Sequence, residues 1–97
     1  MATITGGLIE NVGQFASASV VKVTSPGTTS VAVRIPGLNT IVGQIVQVLN
    51  SGNNVKGGAV GPDITISGNV MTIADGSNFS LANTDTIYIW AWGSPNA

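Results

Sequence analysis

The chain contains neither cysteine nor histidine. The usual general base, the thiol nucleophile and the soft metal ligands are therefore missing, and no serine can be placed in a Ser–His arrangement. No disulfide framework is possible, so cysteine usage leaves the redox compartment open. Charge is the next scarcity. Only 7 % of the residues are charged, where about 25 % is usual. Three scattered cations, Lys22, Arg34 and Lys56, cannot supply the run of phosphate contacts on which nucleic-acid affinity rests. Nucleic acid is not an expected partner. No apolar run approaches the roughly 20 residues that span a bilayer, and Met1–Gly7 lacks a basic segment followed by an apolar one. Neither a membrane span nor a Sec-type signal is expected.

What is present is a chain of 97 residues with 43 % hydrophobic residues. A chain of about 100 residues buries roughly 60–70 % of its unfolded surface, enough for one thin two-layer core. Residues 1–97 are read as one domain. Disordered chains combine low hydrophobicity with high charge, whereas the mean hydropathy here is +0.40. The formal net charge is −1, below the magnitude of about 2–8 that keeps small domains apart. Part of the surface is therefore expected to be covered by protein, and a homo-oligomer is expected.

Thirteen Gly and four Pro cut the sequence into short runs rich in Val, Ile and Thr, the pattern of strands and turns. Ser19–Thr24 reads as a strand closed by Ser25-Pro26-Gly27, where Pro presets the first turn dihedral and Gly accepts a positive φ. Val31–Ile35 follows, with Val31, Val33 and Ile35 on one face, and Pro36-Gly37 ends it. In Thr40–Leu49 the apolar spacing 41, 45, 48, 49 would suit a helix. Gly43 and the β-branched run weigh against one, so a strand buried on both faces is expected. Asn50–Pro62 reads as a long loop and a candidate contact loop, with Asn53, Asn54 and Lys56 as its candidate contact residues. Ser67-Gly68-Asn69 between Ile64–Ile66 and Val70–Ile73 is the best local hairpin signal. Thr84–Trp92 is the last strand, with Ile87, Ile89 and Ala91 on one face and Tyr88, Trp90 and Trp92 on the other. Leu8–Ala18, around Phe15, fits a strand, a loop or one helical turn. The predicted fold is all-β, a small antiparallel sandwich or barrel of about six strands, with 1–12 a possible extended N-terminal arm.

Candidate chemistry is thin. A carboxylate pair would have to come from Glu10, Asp63, Asp75 and Asp85, and three of these sit beside Gly, Pro or Asn, where solvated turn residues are the simpler explanation. Asp75-Gly76-Ser77-Asn78 hints at a calcium loop without the spacing of an EF-hand, and the glycines at 57, 58 and 61 lack the Lys-Ser or Lys-Thr of a phosphate cradle. Asn78-Phe79-Ser80 matches a glycosylation sequon, a pattern common by chance. No catalytic, cofactor or metal residues are assigned, and no enzyme is expected. The sharpest feature is the stripe Tyr88, Trp90, Trp92, three of the five aromatics. Three roles stay open for it: core packing, a protein interface, or a sugar-stacking platform with polar partners such as Asn83 or Asp85.

With that strand map, the near-absence of charge and the terminal Ile87-Tyr88-Ile89-Trp90-Ala91-Trp92 strand, the chain resembles the small all-β head decoration, or cement, proteins of tailed bacteriophages. The resemblance is one of style over the whole length, and no functional residue carries over by position. It implies a virion protein on the capsid exterior that forms an oligomer and clamps neighbouring copies of the major capsid protein. No N-terminal arm of the kind some decoration proteins use is identifiable beyond residues 1–12. A tail or fibre accessory domain would share this composition. A carbohydrate-binding or adhesin module using Tyr88, Trp90 and Trp92 is the alternative function.

Overall fold

The Val-, Ile- and Thr-rich runs become strands because branched side chains suit a pleated, half-buried surface. The structure is a computed structural model and describes residues 2–11, 17–56, 61–77 and 79–95. Among these, eight strands form: β1 (Thr3–Asn11), β2 (Ser17–Thr24), β3 (Ser30–Arg34), β4 (Leu38–Leu49), β5 (Val55–Lys56), β6 (Asp63–Ser67), β7 (Val70–Ala74) and β8 (Thr86–Pro95). They pair antiparallel throughout, in a five-stranded sheet ordered β1-β2-β8-β4-β5 and a three-stranded sheet ordered β3-β7-β6. The fold is the all-β antiparallel sandwich that the sequence predicts. Its strands exceed the expected six because two segments read otherwise are paired. Thr3–Asn11, within the candidate arm, is hydrogen-bonded along β2, and Val55–Lys56, within the expected long loop, pairs with Val48 and Leu49. Phe15 and Asn78 lie outside the described residues.

The core lies where the two sheets face each other. Val21 and Val23 of β2, Val48 of β4 and Ile87, Ile89 and Ala91 of β8 meet Val31 and Val33 of β3 and Met71 and Ile73 of β7. Each fully buried aliphatic side chain contributes about 1.5–3 kcal/mol relative to exposure, so this layer is what opposes the chain entropy lost on folding. Ile35 and Leu38 flank the Pro36-Gly37 turn, where Gly37 adopts φ 81°, and both are fully buried. The hairpin predicted at Ser67-Gly68-Asn69 turns through Gly68 and Asn69, with Gly68 at φ 62°. Its tip is tied to the β3–β4 connection: Ile35 N donates to the Asn69 carbonyl at 2.8 Å, Ile41 N to the Gly68 carbonyl at 3.0 Å, and Asn69 Nδ2 to the Leu38 carbonyl at 3.1 Å.

β4 departs from simple alternation for a definite reason. Its register against β8 shifts between Leu38 and Thr40 and again between Ile41 and Gly43, each time by one extra residue. A bulge of this kind turns the following side chains to the opposite face and bends the strand. Leu38, Ile41 and Val48 are thus all buried, although their spacing is not that of a regular strand. The helix-like spacing of the apolar residues in this segment is the trace of a bulged strand. The expected burial on both faces is corrected: Val42 and Ile45 are 74 % and 64 % exposed, because among the described residues no second layer of the chain lies over the outer side of this sheet.

Candidate functional site

β8 is the third of five strands, between β2 and β4, and its alternation decides what the outer face of the sheet carries. Ile87, Ile89 and Ala91 are buried, whereas Tyr88 and Trp90 remain 39 % and 46 % exposed. The rings of Tyr88 and Trp90 are therefore outside the core. Register fixes their neighbours. Trp90 stands opposite Val20 of β2 and Ile45 of β4, and Tyr88 stands opposite Lys22 and Gln47. Val20, Ile45, Gln47, Tyr88, Ile89 and Trp90 line a shallow open hollow of about 260 Å³. Beyond it, Val42 at the bulge is exposed, and so is Val55 of β5, opposite Leu49. Lys22, also exposed, is the one charge on this face among the described side chains.

Trp92 differs from its two companions. It is half-buried, opposite Ala18 and Gly43. A Cβ built on Gly43 would overlap its indole ring, so the ring lies flat against a glycine that leaves room for it. Opposite it on the other side, Ala18 is buried. Trp92 is a packed end to the stripe, and Tyr88 and Trp90 are its exposed part. Gly93, next along β8, is buried, and a Cβ there would run into the Thr40 carbonyl of bulged β4.

The remaining candidate residues do not join this face. Asn53 and Asn54 are exposed at the β4–β5 turn, which is built locally. Asn50 Oδ1 accepts from Gly52 N at 2.9 Å and from Asn54 N at 3.0 Å, Asn50 N donates to the Asn54 carbonyl, and Asn53 takes φ 64°. Lys56 is engaged within the chain. Its Nζ donates to Asp85 Oδ2 and to the Ser80 carbonyl, both at 2.6 Å, and stands 5.4 Å from the Phe79 ring centre. Asp85 is 2 % exposed and also accepts from Ala82 N at 2.8 Å. A buried carboxylate is tolerable only when paired and hydrogen-bonded, and here the pair pins β5 to the 79–85 connection. Lys56 is thus a fastening within the chain, with its side chain about one-quarter exposed. Its lysine–aspartate separation of 29 residues gave no signal in the sequence.

The two polar partners expected for a sugar platform, Asn83 and Asp85, are placed elsewhere, and the polar side chains beside the rings are Lys22 and Gln47. Asp85 is in the ion pair, and Asn83 Oδ1 accepts from Gly27 N at 3.0 Å, holding the Ser25-Pro26-Gly27 turn. Among the described residues, no group of three acidic, histidine or cysteine side chains gathers where a metal could bind, and Asp75 Oδ1 accepts from Leu81 N at 2.7 Å. Val20, Val42, Ile45 and Val55 are the part of the face that sequence reasoning missed. The alternation of β2 and β4 with β8 would have found Val20, Val42 and Ile45 once the β4 bulge was known, whereas Val55 of the two-residue β5 carries no such signal. Compared with known proteins, the chain matches no family model, no curated protein and no solved structure.

Proposed function

We propose that this protein is a non-enzymatic structural component that works by covering, and being covered by, other protein, and that the particular form of this role is capsid decoration. The observation that carries the first part is the outer face of the five-stranded sheet, where Val42, Ile45, Val55, Tyr88 and Trp90 are exposed together. Contiguous apolar patches on soluble domains mark interaction sites, and Trp and Tyr are enriched at the energetic centres of protein interfaces. The second part is supported by the chain's low charge, its all-β sandwich and its likeness in style to head decoration proteins. In this reading the protein binds the exterior of a shell of major capsid protein as an oligomer and stabilises it through buried area. Many weak contacts then add up, because each tethered contact raises the effective concentration for the next.

The test compares particles with and without this protein under heat and at low ionic strength. Decorated particles should survive conditions that open stripped ones, and Trp90→Lys should reduce binding to stripped particles. Equal survival overturns the decoration role. Location on a tail would keep a structural role and remove the capsid one.

A carbohydrate-binding module is the second reading, favoured by the exposed rings of Tyr88 and Trp90. The aliphatic side chains Val20 and Ile45 beside Trp90 offer a sugar no hydrogen bonds, Lys22 and Gln47 beside Tyr88 are the two flanking side chains that do, and a sugar leaves many hydroxyls to satisfy. Quenching or enhancement of tryptophan fluorescence by neutral oligosaccharides, abolished in Trp90→Ala, would reverse this order.

A further inference from the structure

From the register of the outer face we infer that its occupant is a second copy of this chain, packed face to face about a two-fold axis that runs along β8 between the two sheets. The inference rests on the proposed role of this face in covering protein, and it names the partner. β8 has β2 on one side and β4 on the other. A two-fold axis along β8 sets each β2 residue against the β4 residue of the same row in the other copy. Val20 then faces Ile45 of the second copy, and Lys22 faces Gln47 of the second copy, each contact occurring twice. Trp90 and Tyr88 lie near the axis and meet their own counterparts. The lone cation of the face is therefore set against an amide carbonyl able to accept from it, and like charges do not meet. Such self-complementarity is what a two-fold interface demands.

Size agrees with this. The four long strands, β1, β2, β8 and β4, spaced by about 4.8 Å and running side by side for about eight residues, give a face of roughly 19 by 27 Å, so two faces bury on the order of 1,000 Å², near the lower bound for a specific interface. Sheets pack face to face at about 10 Å with strand directions within about 30° of each other, a range that includes the parallel β8 strands of this axis, and side chains the size of Trp90, Tyr88 and Ile45 fill that separation from both sides. With a net charge of −1 per chain, little repulsion opposes association. An interface of this area, mostly aliphatic and aromatic, should give a micromolar dimer.

Sedimentation of the full chain from low micromolar to several hundred micromolar reads the dimer directly. Wild type should dimerise with a micromolar Kd. Gln47→Lys sets two cations against each other at both symmetric contacts and should raise Kd by about tenfold or more. The double variant Lys22→Glu with Gln47→Lys restores opposite charges across the axis and should recover the dimer. Gln47→Glu should tighten it, and this arm still reads the contact if Gln47→Lys fails to fold. A monomer at all concentrations, or a dimer indifferent to these charges, overturns the inference. A monomer whose binding to particles is lost in Trp90→Lys would leave the function standing and the second copy refuted. A charge-sensitive dimer that leaves particles unaffected would do the reverse.

Discussion

The two sheets share one core and turn very different outer faces to their surroundings. On the three-stranded sheet the outward rows are Ser30–Ala74–Asp63, Ala32–Thr72–Thr65 and Arg34–Val70–Ser67, which are small or polar apart from half-buried Val70. On the five-stranded sheet the corresponding rows include Ile45–Trp90–Val20 and Gln47–Tyr88–Lys22. A sandwich needs only its inner faces to be apolar, and the three-stranded sheet obeys that economy. Large apolar side chains on the outer face of the other add nothing to the core. Their contrast with the polar face, within one small domain, separates residues retained for folding from residues available for contact.

The strongest assault on this comparison is directed at the part both sheets share. Gly93→Ala forces a methyl group into the Thr40 carbonyl, where the neighbour is backbone and cannot rotate away. It should cost about 4 kcal/mol or more, a large share of the roughly 5–15 kcal/mol available to a small domain, and should leave little folded protein by circular dichroism. Ile89→Ala removes a fully packed side chain on the inner side of β8 and should cost about 2–5 kcal/mol, melting both sheets in one transition. Separate transitions would mean that the sheets do not share one core.

Next in size is the fastening between β5 and the 79–85 connection. Lys56→Met leaves the Asp85 carboxylate buried without its cation, and removing one partner of a buried pair is costly. The lysine is about one-quarter exposed, which moderates the loss to about 2–3 kcal/mol. The double variant Lys56→Met with Asp85→Asn should recover part of that in urea melts. No recovery would show that the ammonium matters through its bond to the Ser80 carbonyl instead.

The smallest effects on stability fall on the two outer faces, and they sharpen the comparison most. Trp90→Thr and Thr65→Lys should each change stability by less than about 1 kcal/mol, as exposed positions do. Only Trp90→Thr should reduce association in sedimentation or on particles. Equal effects on association from both faces would dissolve the distinction.

Much of this was legible in advance. Pro26-Gly27, Pro36-Gly37 and Gly68-Asn69 announce turns because few residues tolerate those dihedrals, and Gly27, Gly37 and Gly68 do take positive φ. Alternation in β8 separates Ile87 and Ile89 from Tyr88 and Trp90 because successive side chains on a strand point to opposite faces. The bulges of β4 were hidden, since one extra residue changes which face a side chain takes without changing composition. β5 was hidden too: two residues carry no periodicity, and Val55–Lys56 is a strand only because Val48 and Leu49 stand beside it.

The sequence by itself determined the class of the fold, the scarcity of chemistry and the two faces of its last strand, because turn residues, composition and period-two alternation act locally. Which face would be covered, where Lys56 and Asp85 meet, and that Trp92 rests on Gly43 were decided only by tertiary structure. Those outcomes depend on which strands become neighbours, and pairing between segments tens of residues apart is set by the packing of the whole sandwich.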